Sequence, residues 1–517
     1  MTPDEQRVRA MLAAAGLRVP GDELASLAGD YATLRYQADE VHHTAQDGVA
    51  RDMSSPKTFA TAASFTPPSV AAETIRSAGE KLRDGSVTAR DLTGEVFARI
   101  DRLDDRLGAY VSTFRSSALA AAELADRELA AGQDRGPLHG IPLAIKDVIA
   151  TAEGPTLANS RVVPAQFAGD APAVARLRSS GAIVVGKATT SEYALGLNDP
   201  EKGFPAPRNA WAADRFAGGS SSGTAIAVAA GLALGGLGTD TSGSIRHPAA
   251  LNGVTGLKVT HGCVPLDGVV PLAPSLDTVG PIARSAWDCA ALLEVLADSS
   301  YVDALDGSVR GVRIGVPKGY FFDPGNVAEP VADAVLAALS VLREAGASVS
   351  EVSLPNADVA RFANNIVLLC EGFASHRDDL SVRWSDYGRY VRGLLARGAL
   401  FTGADYVQAK KIAAAFRGEA ADALRDCDVL AMPTMPTGAR LLDETDPTMM
   451  DRWSSASFTP QWNLTGFPAC ALPVGYDGAG MPVSLQLTGK PFDEAAVLRV
   501  ADAYQRRTEF HLAAPDL

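Results

Sequence analysis

The chain has 517 residues, of which 47% are hydrophobic and 21% charged, a composition typical of a globular protein. Its 47 Lys and Arg residues against 61 Asp and Glu give a net charge of −14. This charge argues against nucleic acid as the main partner, because phosphate binding needs a basic surface. The longest apolar tract, Ala225 to Leu237, is too short and too rich in glycine to span a bilayer.

The N-terminal residues and the cysteines indicate the cellular compartment. No secretory signal is visible between Met1 and Arg9, where four charged side chains occur and no apolar core follows. The five cysteines are scattered and form no CxxC pair, so the sequence predicts neither a disulfide framework nor a zinc site. We therefore expect a cytoplasmic protein that does not act on membranes.

The first 45 residues predict two helices, since apolar residues recur on one helical face in each half. Between Gln46 and Pro68 this pattern is lost and Gly, Ser, Thr and Pro accumulate, which predicts a linker or a surface arm. The chain is thus divided into a helical N-terminal extension with its linker, residues 1–65, and a main domain, residues 66–517. The extension is interpreted either as a packing or dimerisation arm or as a lid over a functional site.

Helices and strands alternate from residue 70 onward. The predicted helices span residues 116–133, 174–180, 225–234 and 331–342, and the predicted strands span residues 141–145, 182–185, 312–316 and 483–487. Asp493 is a candidate N-cap for a last helix. This alternation predicts an α/β fold: a single large domain with a mixed central β-sheet covered by helices on both faces.

The residues that carry chemistry lie between Gly140 and Pro281. One segment, Gly140 to Asp147, places a lysine directly after an apolar strand, and two others, Gly218 to Gly223 and Gly238 to Pro248, are rich in Gly, Ser and Thr. The Gly218 run precedes a predicted buried helix, whose N-terminus presents unpaired N–H groups that stabilise anions. No Gly-Lys-Ser/Thr follows it, which argues against a phosphate-binding loop.

Gly219 to Gly223 also matches G-x-S-x-G, the pattern of an α/β-hydrolase nucleophile, which would make Ser221 the reactive residue. That motif requires a strand running directly into the serine. Residues 211–217 show no strand pattern, and no later histidine has a distinctive context. The hydrolase interpretation is therefore disfavoured.

The order and spacing of these segments resemble the amidase signature family over residues from about 70 to 510. The similarity is carried by four segments: Gly218 to Gly223, Thr239 to Pro248, Val270 to Pro281 and Asn463 to Pro468. The resemblance implies a catalytic domain at residues 66–517 and amide hydrolysis by a Ser–cisSer–Lys triad. In this sequence Ser244 would be the nucleophile, Ser220 the serine that follows a cis peptide bond, and Lys146 the base.

Further roles are implied by the same resemblance. The oxyanion hole would be formed by backbone groups of Thr241, Ser242, Gly243 and Ser244, and the loop would be supported by Ser221, Asp240 and Arg246. Asp240 and Arg246 are interpreted as an ion pair that braces the turn, or less readily as substrate contacts. Where the family often has two glycines before the serine, this chain has Ser242 and Gly243.

A lysine base must be neutral near pH 7, which requires its pKa to fall by roughly three units from about 10.4. Burial of Lys146 at the end of its strand is the expected cause, because desolvation disfavours the ammonium form. The neighbouring Asp147 would oppose this fall if its carboxylate pointed at the amine, and the sequence leaves that direction open.

The first functional interpretation is a stand-alone amidase that hydrolyses an amide, anilide, urea-like or carbamate substrate through a serine acyl-enzyme. One alternative is the glutaminase subunit of a tRNA-dependent amidotransferase, which feeds ammonia to a partner subunit. The other is an inactive binding protein on the same scaffold. We expect a small-molecule amide substrate, no cofactor, no metal and, in line with the family, a possible homodimer. Leu272, Trp462 and residues 320–322 are assigned to the core more readily than to a substrate pocket.

Overall fold

The computed structural model describes residues 1–47, 72–164, 166–444 and 457–517, which contain 15 α-helices and 11 β-strands. The predicted linker from Gln46 to Pro68 lies outside these residues, apart from Gln46 and Asp47 at the end of the second helix. The strands are β1 (Tyr110–Thr113), β2 (Pro142–Lys146), β3 (Ile183–Ala188), β4 (Gly235–Asp240), β5 (Thr255–Lys258), β6 (Thr278–Ala283), β7 (Arg313–Pro317), β8 (Ser348–Val352), β9 (Val429–Pro433), β10 (Ala469–Tyr476) and β11 (Pro482–Gly489).

The helices of the described residues alternate with these strands along most of the chain. They are α1 (Pro3–Ala14), α2 (Gly21–Asp47), α3 (Ile75–Asp84), α4 (Ala89–Leu107), α5 (Arg115–Ala130), α6 (Pro172–Ser179), α7 (Ser222–Ala229), α8 (Arg246–Leu251), α9 (Ala286–Ala297), α10 (Glu329–Glu344), α11 (Ala357–Arg383), α12 (Arg389–Arg397), α13 (Gly403–Ala423), α14 (Pro460–Thr465) and α15 (Glu494–Gln505).

All 11 strands form one mixed sheet with the order β1-β3-β2-β4-β6-β5-β10-β11-β9-β7-β8. Strand β2 runs parallel to both β3 and β4, and β7 runs parallel to both β8 and β9, while the remaining pairs are antiparallel. The predicted α/β class, with a mixed central sheet covered by helices, is confirmed. In the register of the parallel pair, Ile145 lies opposite Leu237, so β2 and β4 end at the same edge of the sheet.

Strand β11 differs from its sequence prediction. The alternation of Val483, Leu485 and Leu487 predicted a half-buried strand, yet every residue of β11 is buried. The polar residues between them are buried because they find partners inside the protein: Gln486 accepts a hydrogen bond from Arg246 at 2.7 Å, and Thr488 donates to a backbone carbonyl. Polar alternation along a strand therefore marks an internal hydrogen-bonding face here, and not a face in contact with solvent.

The start of α7 is fixed by close backbone contact. A Cβ atom at Gly223 would lie 2.2 Å from the carbonyl oxygen of Ala109 and 2.4 Å from the amide nitrogen of Thr189. Only glycine fits at this position, because no real Cβ approaches backbone atoms so closely. The first turn of α7 thus lies close to Ala109, directly before β1, and to Thr189, directly after β3.

The aromatic residues considered as pocket candidates lie in the core. Trp462 has no exposed surface, and its ring lies 6.4 Å from that of Phe321 and 6.2 Å from that of Phe416. Tyr320 and Phe322 are also buried. These side chains hold α14 and α13 against the segment that follows β7.

Replacing Trp462 by alanine should therefore lower the free energy of unfolding by about 3–5 kcal/mol, since it leaves a large cavity in a packed cluster. Urea denaturation followed by circular dichroism measures this change. The control Val382→Ala alters a side chain on α11 that is 79% exposed, and it should change stability by less than about 0.5 kcal/mol. A loss below about 1 kcal/mol for Trp462→Ala would contradict the core assignment.

Candidate active site

Two parallel strands bring the central groups of the site to one edge of the sheet. Lys146 is the last residue of β2 and Asp240 the last residue of β4. The turn after Asp240 carries Ser244 and leads into α8, while Ser220 lies two residues before the start of α7. The three residues implied as a triad thus come from three separate segments that meet where β2 and β4 end.

Lys146 is fully buried, and its Nζ atom lies 2.7 Å from the Oγ atom of Ser220 and 2.7 Å from the Oγ1 atom of Thr239. Burial lowers the pKa of this amine to about 7, although the carboxylates of Asp240 and Asp277 act in the opposite direction. A substantial fraction of Lys146 is therefore neutral at physiological pH and able to accept a proton.

The direction of Asp147, which the sequence left open, is away from Lys146. Its carboxylate lies 3.6 Å from the Nζ atom of Lys187, and both side chains are buried. Burial raises the pKa of Asp147 and lowers the pKa of Lys187. Because Asp147 pairs with this second lysine, it is not among the groups that oppose the low pKa of Lys146.

Ser220 and Ser244 are connected through the loop that precedes α7. The peptide bond between Gly219 and Ser220 is cis, at the position where the family resemblance implied such a bond. The backbone N–H of Ser221 donates to the carbonyl of Ser244 at 3.0 Å, and the Ser221 hydroxyl donates to the carbonyl of Thr239 at 3.1 Å. Ser221 thereby ties the two serine-bearing loops and the end of β4 together.

These contacts also bear on the α/β-hydrolase interpretation. Ser221 is fully buried and bonded to the backbone of Thr239, and no regular strand precedes it in residues 211–217. The histidine near the site is His247, whose Nε2 atom lies 2.7 Å from Thr459 Oγ1. Desolvation lowers the pKa of His247 to about 4, so it is neutral at physiological pH.

Asp240 and Arg246 form a buried ion pair that braces the turn between them. The guanidinium contacts both carboxylate oxygens, with the closest nitrogen at 2.9 Å, and neither side chain is exposed. Burial raises the pKa of Asp240, but the adjacent Arg246 guanidinium outweighs this effect and holds that pKa well below its usual range. The same arginine donates to Asn463 and Gln486, so the pair links the turn to α14 and β11.

The backbone N–H groups of the turn are not equivalent. The N–H of Gly243, one of the groups predicted for an oxyanion hole, donates to Asp240 at 2.7 Å. Within the described residues no acceptor lies within hydrogen-bonding distance of the N–H groups of Thr241, Ser242 and Ser244. These three remain the candidate oxyanion donors.

Gly243 is required for the shape of the turn. Its φ is +127°, and an added Cβ would lie 2.3 Å from Thr459 Oγ1 and 2.4 Å from His247 Nε2. The preceding Ser242, where the family often has glycine, donates to the Oδ1 atom of Asn364 at 2.9 Å. The serine hydroxyl therefore connects the turn to α11 without disturbing its backbone.

A cavity of about 220 Å³ opens directly onto these groups. Its wall includes Ser220, Thr241, Ser242 and the half-buried Ser244. Leu272, which the sequence analysis assigned more readily to the core, is buried and also lines this cavity. Lys146 lies behind Ser220, shielded from solvent. A molecule in the cavity would thus meet Ser244 first and the lysine only through Ser220.

Three residues of the site received no role from the sequence. Thr239 contacts Lys146, Asn463 donates to Asp240 at 2.9 Å, and Asp277 accepts from the Thr241 hydroxyl at 2.6 Å. Burial raises the pKa of Asp277 to about 6. All three lie in segments that carried the family resemblance, so the signal was present, but their polar contacts depend on distant strands.

Neither a metal cluster nor a membrane span occurs in the described part of the chain. No group of three or more His, Cys, Asp or Glu residues there is placed to hold a metal ion. No helix of those same residues is long and apolar enough to cross a membrane.

Comparisons with known proteins identify similar chains along most of the sequence. A family model described as Amidase matches residues 91–498. The A subunit of the glutamyl-tRNA(Gln) amidotransferase of Roseiflexus sp. (strain RS-1) is 39% identical over 484 residues, which cover 86% of this chain and 98% of that relative. The corresponding subunit of Halorhodospira halophila is 38% identical and is covered to 99%, with 86% of this chain matched.

Solved structures share the fold. A crystal structure of an amidase superposes with a TM-score of 0.77 at 34% identity, covering 84% of this chain and 100% of that one. The native peptide amidase from Stenotrophomonas maltophilia superposes with a TM-score of 0.73 at 30% identity, covering 86% and 97% of the two chains.

Proposed function

Because the chain belongs to the amidase family and is thereby an amidohydrolase, we propose that it hydrolyses carboxamides through an acyl-enzyme formed on Ser244. The observation that carries this proposal is the buried Lys146 amine, 2.7 Å from Ser220 and behind a cavity lined by Ser244. An isolated serine hydroxyl is too weak an acid to attack an amide, and a neutral lysine supplies the missing base.

In the proposed acylation step, Lys146 takes a proton from Ser220, which takes one from Ser244. The Ser244 oxygen then attacks the amide carbon. Negative charge on the carbonyl oxygen is stabilised by the N–H groups of Thr241, Ser242 and Ser244. The proton returns through Ser220 to the leaving nitrogen, and water releases the acid by the same path in reverse. The steps require no cofactor.

The physiological use of this reaction has two candidates, and the comparisons favour the second interpretation of the sequence over the first. The relatives named above are amidotransferase subunits, and their length is covered almost completely. We therefore propose, as the better supported use, that the chain releases ammonia from glutamine for a partner subunit.

A stand-alone amidase is the other candidate, and one specific observation favours it. Helix α2, which lies before the residues matched by the family model, contributes to the wall of the cavity. A chain that closes its own substrate cavity with an added helix has less need of a second subunit to complete it. The similarity to solved amidases supports the same use.

Ser244→Ala and Lys146→Ala should each lower kcat for amide hydrolysis by at least about 1,000-fold, because each removes a member of one proton-transfer chain. Ammonia release from glutamine and from simple amides measures this loss, with circular dichroism to show that the fold is retained. The control Ser375→Ala alters an exposed serine on α11 and should leave kcat unchanged. Near-normal activity of Lys146→Ala would exclude this lysine as the base.

The pH dependence should identify the base. A lysine is active when neutral, so kcat/KM should rise about tenfold per pH unit below about 7 and level off above it, following the lowered pKa of Lys146. If kcat/KM instead rises around pH 4 and is already level above about pH 5, His247 is indicated as the base, because its pKa is about 4. Measuring kcat/KM from about pH 4 to 9 separates the two. A rate that falls between about pH 6 and 8 would contradict both.

Partner dependence decides between the two uses. For an amidotransferase subunit, we expect glutamine hydrolysis by the purified chain to increase severalfold when amidotransferase partner subunits, ATP and glutamyl-tRNA are added. For a stand-alone amidase, full turnover of simple amides occurs without those components, and their addition changes nothing. Ammonia release with and without the added components, with Ser244→Ala as the blank, gives the answer.

A further inference from the structure

The N-terminal extension forms part of the substrate cavity. Residues Asp30, Thr33, Leu34 and Gln37 of α2 line the same space as Ser220 and Ser244. The family model begins only at residue 91, so this portion of the wall is supplied by a segment that the match does not include. The extension, left open in the sequence analysis as an arm or a lid, thus borders the cavity directly.

Ion pairs attach α2 to the helices around it. They join acidic and basic side chains that are partly or fully buried: Arg392 to Glu23 at 2.7 Å, Arg397 to Asp30 at 2.5 Å and Arg35 to Asp405 at 2.8 Å. The basic partners of the first two pairs lie on α12, and Asp405 lies on α13. Pairs distributed along the helix fix its position, so the side chains that face the cavity have a defined place.

The Asp30–Arg397 pair also sets the charge of the cavity wall. Both residues line the cavity, and their charges compensate each other. The other α2 residues in the wall are uncharged. A substrate in contact with α2 therefore meets a wall that has no net charge there.

Gln37 is the buried polar side chain that α2 contributes to the cavity wall. Its side chain is 7% exposed and lines the cavity, yet its carboxamide has no hydrogen-bond partner among the described residues. An amide that faces a cavity without a protein partner bonds to water there, and a ligand with a matching polar group can take the place of that water.

Apolar side chains also line the part of the wall that the helices supply. Leu34 lies one helical turn before Gln37 on α2, and Leu368 of α11 and Leu394 of α12 border the same space. The serines belong to the loops at the edge of the sheet, whereas Gln37 and these leucines belong to the helices. A substrate that reaches from Ser244 to α2 therefore has these leucines to pack against.

We propose that Gln37 is a specificity-determining residue that hydrogen-bonds a polar group at the far end of the substrate's acyl chain. This inference rests on the proposed amide hydrolysis at Ser244. It specifies the substrate class: an amide whose acyl group has a short hydrocarbon stretch followed by a hydrogen-bonding group. The hydrocarbon packs against the leucines, and the terminal group pairs with the Gln37 carboxamide.

Two matched substrates and one substitution test the proposal on the full chain. Adipamide carries a second carboxamide at the far end of its chain, and hexanamide has the same chain length without it. The wild type should show a kcat/KM for adipamide about three- to tenfold above that for hexanamide, after allowing for its two equivalent amides, as one hydrogen bond provides. Gln37→Leu should reduce the ratio of the two kcat/KM values to about one, because leucine cannot pair with the terminal carboxamide.

Controls keep the outcomes distinct. Gln6→Leu makes the same replacement at an exposed position of α1 and should retain the preference. Gln37→Met, which is closer in shape to glutamine, repeats the test if the leucine variant is unstable in a thermal melt. Loss of both activities in equal proportion, or a preference that survives in both Gln37 variants, would overturn the role of Gln37.

The proposed function fails separately from this inference. If Ser244→Ala does not abolish hydrolysis, or if the wild type releases ammonia from no amide, the acyl-enzyme proposal is wrong and the inference is lost with it. If the wild type hydrolyses other amides in a Ser244-dependent way but neither of these two, or shows no preference between them, only the inference is wrong.

Discussion

The arrangement of this protein depends on the burial of one amine. The end of β2 places Lys146 inside the sheet edge, where only Ser220 and Thr239, among the described residues, form hydrogen bonds with its nitrogen. Removal from water destabilises the charged ammonium form more than the nearby carboxylates stabilise it, so the pKa of Lys146 falls to about 7. Ser220, which follows the cis peptide bond, and Thr239, next to the end of β4, are the residues that contact this amine.

The carboxylate of Asp240 organises what surrounds the amine. It accepts hydrogen bonds from Arg246, from Asn463 and from backbone N–H groups of its own turn, including that of Gly243. A buried charge is tolerated only when it is compensated in this way. Because Asp240 uses the Gly243 amide, the N–H groups of the turn without a hydrogen bond to another described residue are those of Thr241, Ser242 and Ser244.

The sequence predicted the class of the fold, but it did not predict the contacts among the candidate site residues. Helices and strands with clear periodicity, such as α10 and β2, lie close to their predicted positions. The burial of β11 was missed because its polar residues find partners on α8 and in neighbouring segments, which no local pattern reveals. The direction of Asp147 depends on Lys187, about 40 residues further along the chain. Gln37 gave no signal in the sequence, since a glutamine on an amphipathic helix is ordinary until the cavity beside it is known.

The attachment of α2 has a consequence for the order in which the protein matures. Its ion pairs join residues about 370 positions apart, such as Arg35 and Asp405. Helix α2 can therefore reach its final place only after α12 and α13, which follow it in the chain, have been made and folded. Contacts of such large sequence separation form late, because the entropic cost of closing a long loop precedes the stabilisation that the contacts provide. The part of the cavity wall that α2 supplies is therefore acquired late in folding, although α2 itself is made early.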